Sequence, residues 1–477
     1  MALSAAQKPN ILFILADDLG FKDTGFTGSD YYETPHIDRL RREGMAFNNA
    51  YAGGAFCAPS RACFLSGEYT PRHQVYAVCS TNRAPGKRKR LKPVPSKSFL
   101  EPSIYTLSES LRDNGYATAI FGKWHLGDQS IFSPLEQGFQ YYFDKRKRNN
   151  IEDFSCNPEK SYKLKRSISS DPKKNFALSA ALLQYLDSQK AAADSRPFFA
   201  YLAFRGVHTP LKARAGSIQK FKSKLKGEYH QNALYAASIY DLDTAVGEIL
   251  DYLDRESLSE NTLVIFTSDN GAIPLSPQEP LRSNKGSYYE GGIKVPTVIR
   301  WPSVVQANSS SDVPIINLDF YPTFLDIIGD TASTLDGESL MPLLTQSGTT
   351  LARSSIFWHF PGYLDGETIR PRNKGFRSKP VTVVRQGDWK LHLYHEEWLL
   401  RKNDSDDSIN SAIELFNLAK DPGERENVVA SNIEKRDSLI QEIKDFWERT
   451  GADLPKIPRT SKTNMLETAI RSASHSS

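Results

Sequence analysis

Short apolar runs alternate with amphipathic helical stretches through roughly the first 350 of this chain's 477 residues. "NILFIL" at 10–15 precedes a helical pattern over 35–43, with Pro35 at its start and Gly44 at its end. "YTLSESLRDNG" at 105–115 has the same start-and-stop logic and feeds "ATAIF". A longer pattern over 233–255 sets Ile239, Leu242, Val246, Leu250 and Leu253 on one stripe ahead of "TLVIF". A strand that is apolar along its whole length must be covered on both faces, and intervening helices supply the covers. The pattern predicts an α/β fold: a large, mostly parallel sheet sandwiched by helices.

After about residue 350 the texture changes. "VTVVRQGDWKLHLYH" at 381–395 alternates like two antiparallel strands turning at Gly387-Asp388, and "AIELFNLAKDP" at 412–422 reads as a further strand. A last helix is expected to start at Ser431, with Glu434 completing a capping box, and to turn Ile433, Ile440, Ile443 and Phe446 inward. The division expected is an N-terminal α/β catalytic domain over 8–350, a C-terminal α+β subdomain with an antiparallel sheet over 351–456, and a tail over 457–477. In the tail, only "MLETAI" suggests a short packed helix.

In an open parallel sheet, ligands bind beyond the carboxyl ends of the strands. Four apolar runs end in strongly polar groups: "NILFIL" in Asp17-Asp18, "ATAIF" in Gly122-Lys123-Trp124-His125, "FFAYLAF" in Arg205-Gly206-Val207-His208, and "TLVIF" in Thr267-Ser268-Asp269-Asn270-Gly271. One such end is an ordinary turn or cap; four on one edge are a site. Asp17, Asp18, Asp269 and Asn270 offer hard oxygens, which suit Ca²⁺ or Mg²⁺ rather than zinc. Without a cation, three packed carboxylates would repel one another and titrate upward. Lys123, His125, His208 and Lys285 add cations and proton donors, a setting built for a tetrahedral oxyanion, sulfate or phosphate.

"FCAPSRACFLSG" at 56–67 places Pro59 and Ser60 in a helix's first turn and Gly67 at its stop, so Cys57 is expected just outside the N-terminus. A cysteine is ordinarily a small buried apolar residue. Here the helix terminus and Arg61 would favour an anion and leave the thiol poised for chemistry.

Charge and cysteine content narrow the partners. Residues 81–175 carry 19 Lys and Arg against 10 Asp and Glu, in a chain whose total is only +4. Runs at 86–92, 144–150 and 163–166 concentrate that excess, either as solvated loops or as the footprint of a polyanion. No apolar run approaches the roughly 18 residues of a membrane span. If Cys57 is chemically used, at most one disulfide forms among Cys63, Cys79 and Cys156; Cys79–Cys156 is the expected pair, with free buried thiols the alternative. The opening "MALSAAQKPN" lacks a charged leader segment.

The stretch Cys57-Ala-Pro-Ser-Arg61, followed by Leu65-Ser66-Gly67, resembles the signature of the formylglycine-dependent sulfatases of the alkaline-phosphatase-like superfamily. "PNILFILADDLG", "GKWHLG" at 122–127, "GVHTP" at 206–210, "SDNG" at 268–271 and "ELFNLAKDPGERENV" match in family order; Ser66 stands where the family usually has Thr. The resemblance implies that a formylglycine-generating maturation enzyme oxidises Cys57 to Cα-formylglycine (3-oxoalanine). One oxygen of its hydrate would attack sulfur, and the other would then expel sulfate, a collapse that a serine ester could not manage. It further implies one Ca²⁺ held by Asp17, Asp18, Asp269 and Asn270, Arg61 and Lys123 stabilising the hydrate, and His125 hydrogen-bonded to it. Lys123, His208 and Lys285 would bind sulfate, and His208 would protonate the leaving oxygen.

The substrate implied is an anionic sulfated oligosaccharide or polysaccharide, a carrageenan-type galactan or a glycosaminoglycan, with no nucleic acid partner and a periplasmic or secreted setting. Rival readings are a phosphodiesterase or phosphonate hydrolase of the same superfamily, an inactive sulfated-glycan-binding protein if Cys57 is not converted, and a cysteine hydrolase, which leaves the carboxylates unexplained.

Overall fold

A computed structural model describes residues 8–84, 86–144, 154–155, 170–330, 335–366 and 368–458. The strands Thr262–Ser268, Asn10–Asp17, Phe198–Val207 and Ala117–Gly122 lie side by side in that order, all parallel, so their carboxyl ends share one edge. Tyr141–Phe143 continues the sheet in parallel beyond Ala117–Gly122. Short strands complete it: Phe154–Ser155 at one margin, and Val298–Arg300, Met45–Phe47 and Ser309–Ser311 at the other. The mostly parallel sheet is therefore present as expected.

The period-2 alternation within Asn10–Asp17 divides its side chains between two cores. Ile11, Phe13 and Leu15 pack with Phe64, Leu107 and Phe320 on one face. Leu12, Ile14 and Ala16 pack on the other with Ile37 and Leu40 of helix Pro35–Glu43 and Leu242 and Val246 of helix Ala233–Arg255. At roughly 1.5–3 kcal/mol for each fully buried Leu, Ile or Phe, both layers are needed to hold the edge in place.

Strands Ser355–Phe360, Val381–Gln386, Trp389–Tyr394 and Ile413–Asn417 form a four-stranded antiparallel sheet. Helix Ile433–Thr450 covers it, with the rings of Phe357 and Phe446 stacked at 4.5 Å. The core under this sheet also takes in Tyr51, Cys63 and Ile293, so the two parts of the chain share apolar contacts. A three-stranded sheet ties Asn82–Arg83 to Tyr363–Asp365 and Phe376–Ser378.

Two local expectations change. The last helix begins at Ile433, with Asn432 in the cap position and no side-chain cap. Ser431 closes a 3₁₀ turn instead, and its hydroxyl donates to the Val428 carbonyl. Ile433 is accordingly exposed, and Leu439 joins Ile440, Ile443 and Phe446 on the inner face. Cys156, the basic runs at 145–148 and 163–166 and "MLETAI" lie outside the described residues; Cys79 is exposed. Among the described residues no helix is long and apolar enough to cross a membrane.

Two buried histidines make the fold acid-sensitive. Burial, and then Lys97, pushes His73 down to about 3, and burial pushes His359 down to about 4. The unfolded chain takes up these protons near pH 6.5, whereas the folded chain does not. Their contribution to stability is therefore complete above pH 6.5 and is lost as the pH falls toward 4, by about 2 kcal/mol per histidine at pH 5. Urea unfolding at pH 7.5 and pH 5 of the parent, His73→Gln and His359→Gln reads this directly: each substitution should make the stability change between the two pH values less unfavourable by about 2 kcal/mol, and an unchanged pH dependence would contradict it.

Candidate active site

Each predicted strand end delivers its side chain to one place. Asp17 closes strand Asn10–Asp17, and Asp18 follows with φ 68°, a left-handed conformation in which a non-glycine residue is strained. Gly122 ends the strand before Lys123 with φ 105°; a Cβ there would lie 2.1 Å from the Ala203 carbonyl oxygen, so only glycine fits. Asp269 and Asn270 follow strand Thr262–Ser268, and His208 follows Phe198–Val207.

Cys57 is not outside its helix but is the first residue of Cys57–Ser66, with Phe56 as cap and Gly67 at φ 68° ending it. Pro59 sits in the first turn, where its missing N–H costs nothing. The helix is buried along its whole length, and its first turn aims the Cys57 Sγ at the strand ends. Sγ lies 3.2 Å from Asp17 Oδ1, 3.7 Å from Asp18 Oδ1 and 3.3 Å from Lys285 Nζ.

The charges interlock. Lys123 Nζ donates to both Asp17 oxygens at 2.9 and 2.7 Å, and Lys285 Nζ is 2.6 Å from Asp18 Oδ1. Arg61 donates through Nε and Nη2 to Asp269 Oδ2 at 3.1 and 2.8 Å, and through Nη1 to the Lys123 carbonyl at 2.7 Å. Its fork thus binds Asp269 and the Lys123 backbone. Tyr201, hidden in an apolar strand and missed from the sequence, lies 3.4 Å from Arg61 Nη1.

The uniform upward titration expected of three carboxylates does not occur. Burial would raise the Asp17 carboxyl, but Lys123, then Arg61 and Lys285, hold it well below the usual carboxylate range. Asp269 is raised, by burial and by Asp17. Burial first, then Asp17 and Asp269, pushes the Cys57 thiol well up, which keeps it neutral rather than the activated thiolate its helix position suggested. The helix-terminus effect is small beside burial and two carboxylates.

Burial, and then Lys123, pushes His125 down to about 3, and its buried Nδ1 has no hydrogen-bond partner among the described residues. His208 is half-exposed; Nδ1 lies 2.5 Å from the Thr209 carbonyl oxygen, and Nε2 lies 3.6 Å from Asp18 Oδ2. Asp18 Oδ2 and Asn270 Oδ1 are buried oxygens with no hydrogen-bond donor among the described residues. Two orphaned hard acceptors beside paired carboxylates fit an oxygen-seeking divalent cation. Ligand atoms of Asp17, Asp18, Cys57 and His208 all lie within 4.8 Å of one another.

The segment carrying Lys285 is anchored from the far end of the chain. Lys285 N donates to the Ala272 carbonyl at 2.7 Å, and Gly271 N donates to that of Gly292 at 2.9 Å. Between them Glu290 is fixed by Lys390 Nζ at 2.9 Å, and its backbone N–H donates to Glu424 Oε2 at 2.6 Å. Lys390 also meets Glu424 Oε1 at 2.9 Å, and all three charges are buried. Glu424 is the first glutamate of "GEREN", so the late motif holds this loop against the antiparallel sheet. The signal was in the sequence; its partners were not.

Asp17, Cys57, Lys123, His125, His208 and Lys285 share the wall of one cavity of about 840 Å³. A family model described as Sulfatase matches residues 9–330, and one described as N-sulphoglucosamine sulphohydrolase, C-terminal, matches residues 283–450. A protein named "Sulfatase" from Formosa agariphila is 32% identical over 501 residues, spanning 90% of this chain and 86% of that protein. The N-acetylgalactosamine-6-sulfatase of Mus musculus is 28% identical over 496 residues, spanning 97% of this chain and 90% of that protein. The crystal structure of Ps i-CgsB in complex with k-i-k-neocarrahexaose superposes with a TM-score of 0.71 at 26% identity, covering 96% of each chain. Matched over most of its length by these proteins, the chain is a sulfuric ester hydrolase and belongs to the sulfatase family.

Proposed function

We propose that this enzyme hydrolyses sulfate esters of a sulfated oligosaccharide or polysaccharide, a carrageenan-type galactan or a glycosaminoglycan, with Cys57 converted by a maturation enzyme into the formylglycine whose hydrate supplies the attacking oxygen. The observation that carries the reading is Cys57 Sγ lodged between Lys285 at 3.3 Å and Asp17 at 3.2 Å, beside the orphaned oxygens of Asp18 and Asn270. The substrate class is supported by relatives named for an N-acetylgalactosamine sulfate and by a neighbour bound to a carrageenan hexaose.

Asp17, Asp18, Asp269 and Asn270 would hold one Ca²⁺, which when bound supplies a Lewis acid for a sulfate oxygen and for the ionised nucleophile. Lys123 and Lys285 flank the nucleophile position and bind the transferring sulfate. Burial works against the Lys123 ammonium, but Asp17 raises its pKa on balance and keeps it charged. Arg61 positions Asp269 and the Lys123 backbone. With its buried Nδ1 free of partners among the described residues, His125 is placed to hydrogen-bond the nucleophile as a neutral ring. His208 holds a proton at Nδ1 against the Thr209 carbonyl; protonated also at Nε2, it can donate to the departing sugar oxygen.

The test is hydrolysis of nitrophenyl sulfate against nitrophenyl phosphate, with mass spectrometry of the 53–72 peptide to score loss of the thiol. Preference for sulfate with Cys57 converted is expected. Preference for phosphate would assign the phosphodiesterase or phosphonate hydrolase reading, and an unconverted Cys57 with glycan binding but no turnover would assign a binding protein. In the same assay His208→Ala should slow sugar sulfates by about 10²-fold or more and nitrophenyl sulfate far less, because nitrophenolate leaves without a proton. Equal losses would move His208 from proton donor to sulfate binder.

A further inference from the structure

The cavity wall carries Arg83, Lys123, Arg205, Lys285 and Arg377 against Asp17, Asp128, Glu136 and Asp144, and not all of these basic groups are used by one sulfate. Lys123, Lys285 and His208 converge on the nucleophile position, and Arg205 in the same wall is tied to Asp144 at 2.5 Å. Two further guanidinium groups, Arg83 and Arg377, also line the cavity. They come from segments nearly 300 residues apart and meet through the three-stranded sheet, where Leu364 pairs with Arg83 on one side and with Ser378 on the other.

Arg377 is half-buried, and among the described residues it makes no hydrogen bond or ion pair; its Nε is buried without a partner. Arg83 has one long contact, 3.9 Å to Asp365, between two half-exposed side chains. The Arg377 stem runs over Gly286, the residue after Lys285: a Cβ on Gly286 would lie 2.5 Å from Arg377 Cδ. Burial first, and then the charge of Arg83, disfavours the charged form of Arg377, and Asp365 and then Asp18 only partly offset them. A partly buried guanidinium facing another, with its donors unspent, is costly unless something anionic completes it.

We propose that Arg377, with Arg83 beside it, forms a second anion-binding position in the cavity wall, for a sulfate or carboxylate carried by the same sugar chain as the scissile sulfate. The inference rests on the sulfated-carbohydrate reading above and adds to it that the preferred substrate bears a second negative group close to the reacting one. The guanidinium fork matches both anions, because each presents paired oxygens.

The test compares the parent enzyme with Arg377→Gln, Arg377→Lys and Arg83→Gln on three disaccharides: one with the scissile sulfate alone, one with a second sulfate, and one with a uronate carboxylate instead. The quantity read is the ratio of kcat/KM on each doubly charged substrate to that on the singly charged one. Arg377→Gln should lower this ratio by about tenfold or more, chiefly through KM, and Arg377→Lys should lower it less, since charge without the fork is retained. A drop confined to the disulfated sugar identifies sulfate as the ligand, and one confined to the uronate identifies carboxylate. Ratios within about twofold of the parent for both sugars overturn the proposal.

Arg83→Gln changes a half-exposed side chain and keeps the test valid if Arg377 variants fold poorly. Calorimetric titration of the disulfated and uronate disaccharides in a Cys57→Ala background avoids turnover: about tenfold weaker binding of either sugar by the variants supports the site, and unchanged binding of both overturns it. Failure of the sulfatase reading shows separately, as absent hydrolysis of nitrophenyl sulfate by the parent enzyme.

Discussion

Replacing Cys57 with Ala should lower kcat for sulfate ester hydrolysis by about 10⁴-fold or more while the protein still folds and binds its substrate. The side chain is the precursor of the only attacking atom in the reading, and no neighbour can stand in for it. Lys123 and Lys285 are cations, Asp17 and Asp18 are committed to them, and His208 Nε2 faces Asp18. Binding should survive because the sulfate-holding lysines keep their carboxylate partners. The thiol is small and buried, and its removal leaves Asp17 still bonded twice by Lys123, so the cost in stability should be no more than about 1–2 kcal/mol. Cys57→Ser should also be inactive if the maturation enzyme accepts only cysteine. Turnover by Cys57→Ala at the parent rate would end the mechanism.

The second large effect is expected from the cation site. Asp18→Ala removes the carboxylate that carries an orphaned oxygen, and it strips Lys285 of its 2.6 Å partner. Leaving one member of a buried ion pair alone costs about 3–5 kcal/mol. Activity should fall by orders of magnitude, since both the hard ligand and the placement of Lys285 are lost. In the parent enzyme, added Ca²⁺ should raise the melting temperature and a chelator should lower it, because a ligand held at about 100 times its Kd adds about 2.7 kcal/mol. Asp18→Ala should show a much smaller response to Ca²⁺, as should Asp17→Ala and Asp269→Ala. If chelation alters neither melting temperature nor activity in the parent, these oxygens hold no catalytic cation.

The edge of the sheet could be read from the chain because its signal is local. Strand Asn10–Asp17 is buried on both faces, so it is written as an unbroken apolar run, and the first polar residues after it mark where the sheet stops. The apolar runs within Ala117–Gly122, Phe198–Val207 and Thr262–Ser268 are read the same way, although Arg205, Thr267 and Ser268 still lie inside their strands, and they make Asp17, Lys123, His208 and Asp269 candidates before any contact is known. Helix Cys57–Ser66 was legible through Pro59 and Gly67, although its first residue was placed one position too late. Ser431 misled because a serine three residues ahead of a glutamate looks like a cap whether its hydroxyl bonds forward into a helix or back to Val428.

What the sequence by itself determined is therefore the parallel-sheet architecture and the identity of the groups at its edge, because periods of 2 and 3.6 residues and the turn chemistry of Pro and Gly act over a few positions. The tertiary structure alone decided how those groups are paired. Asp17 is held low because Lys123, 106 residues away, bonds both its oxygens, while Asp269 is raised and Arg61 is drawn to Asp269. It also decided that Glu424 anchors the loop bearing Lys285, and that Arg83 and Arg377 face one cavity. The reason is physical: the energy of two charges depends on their separation and burial in space, and for residues hundreds of positions apart those are set by strand order and register, which no local window of sequence contains.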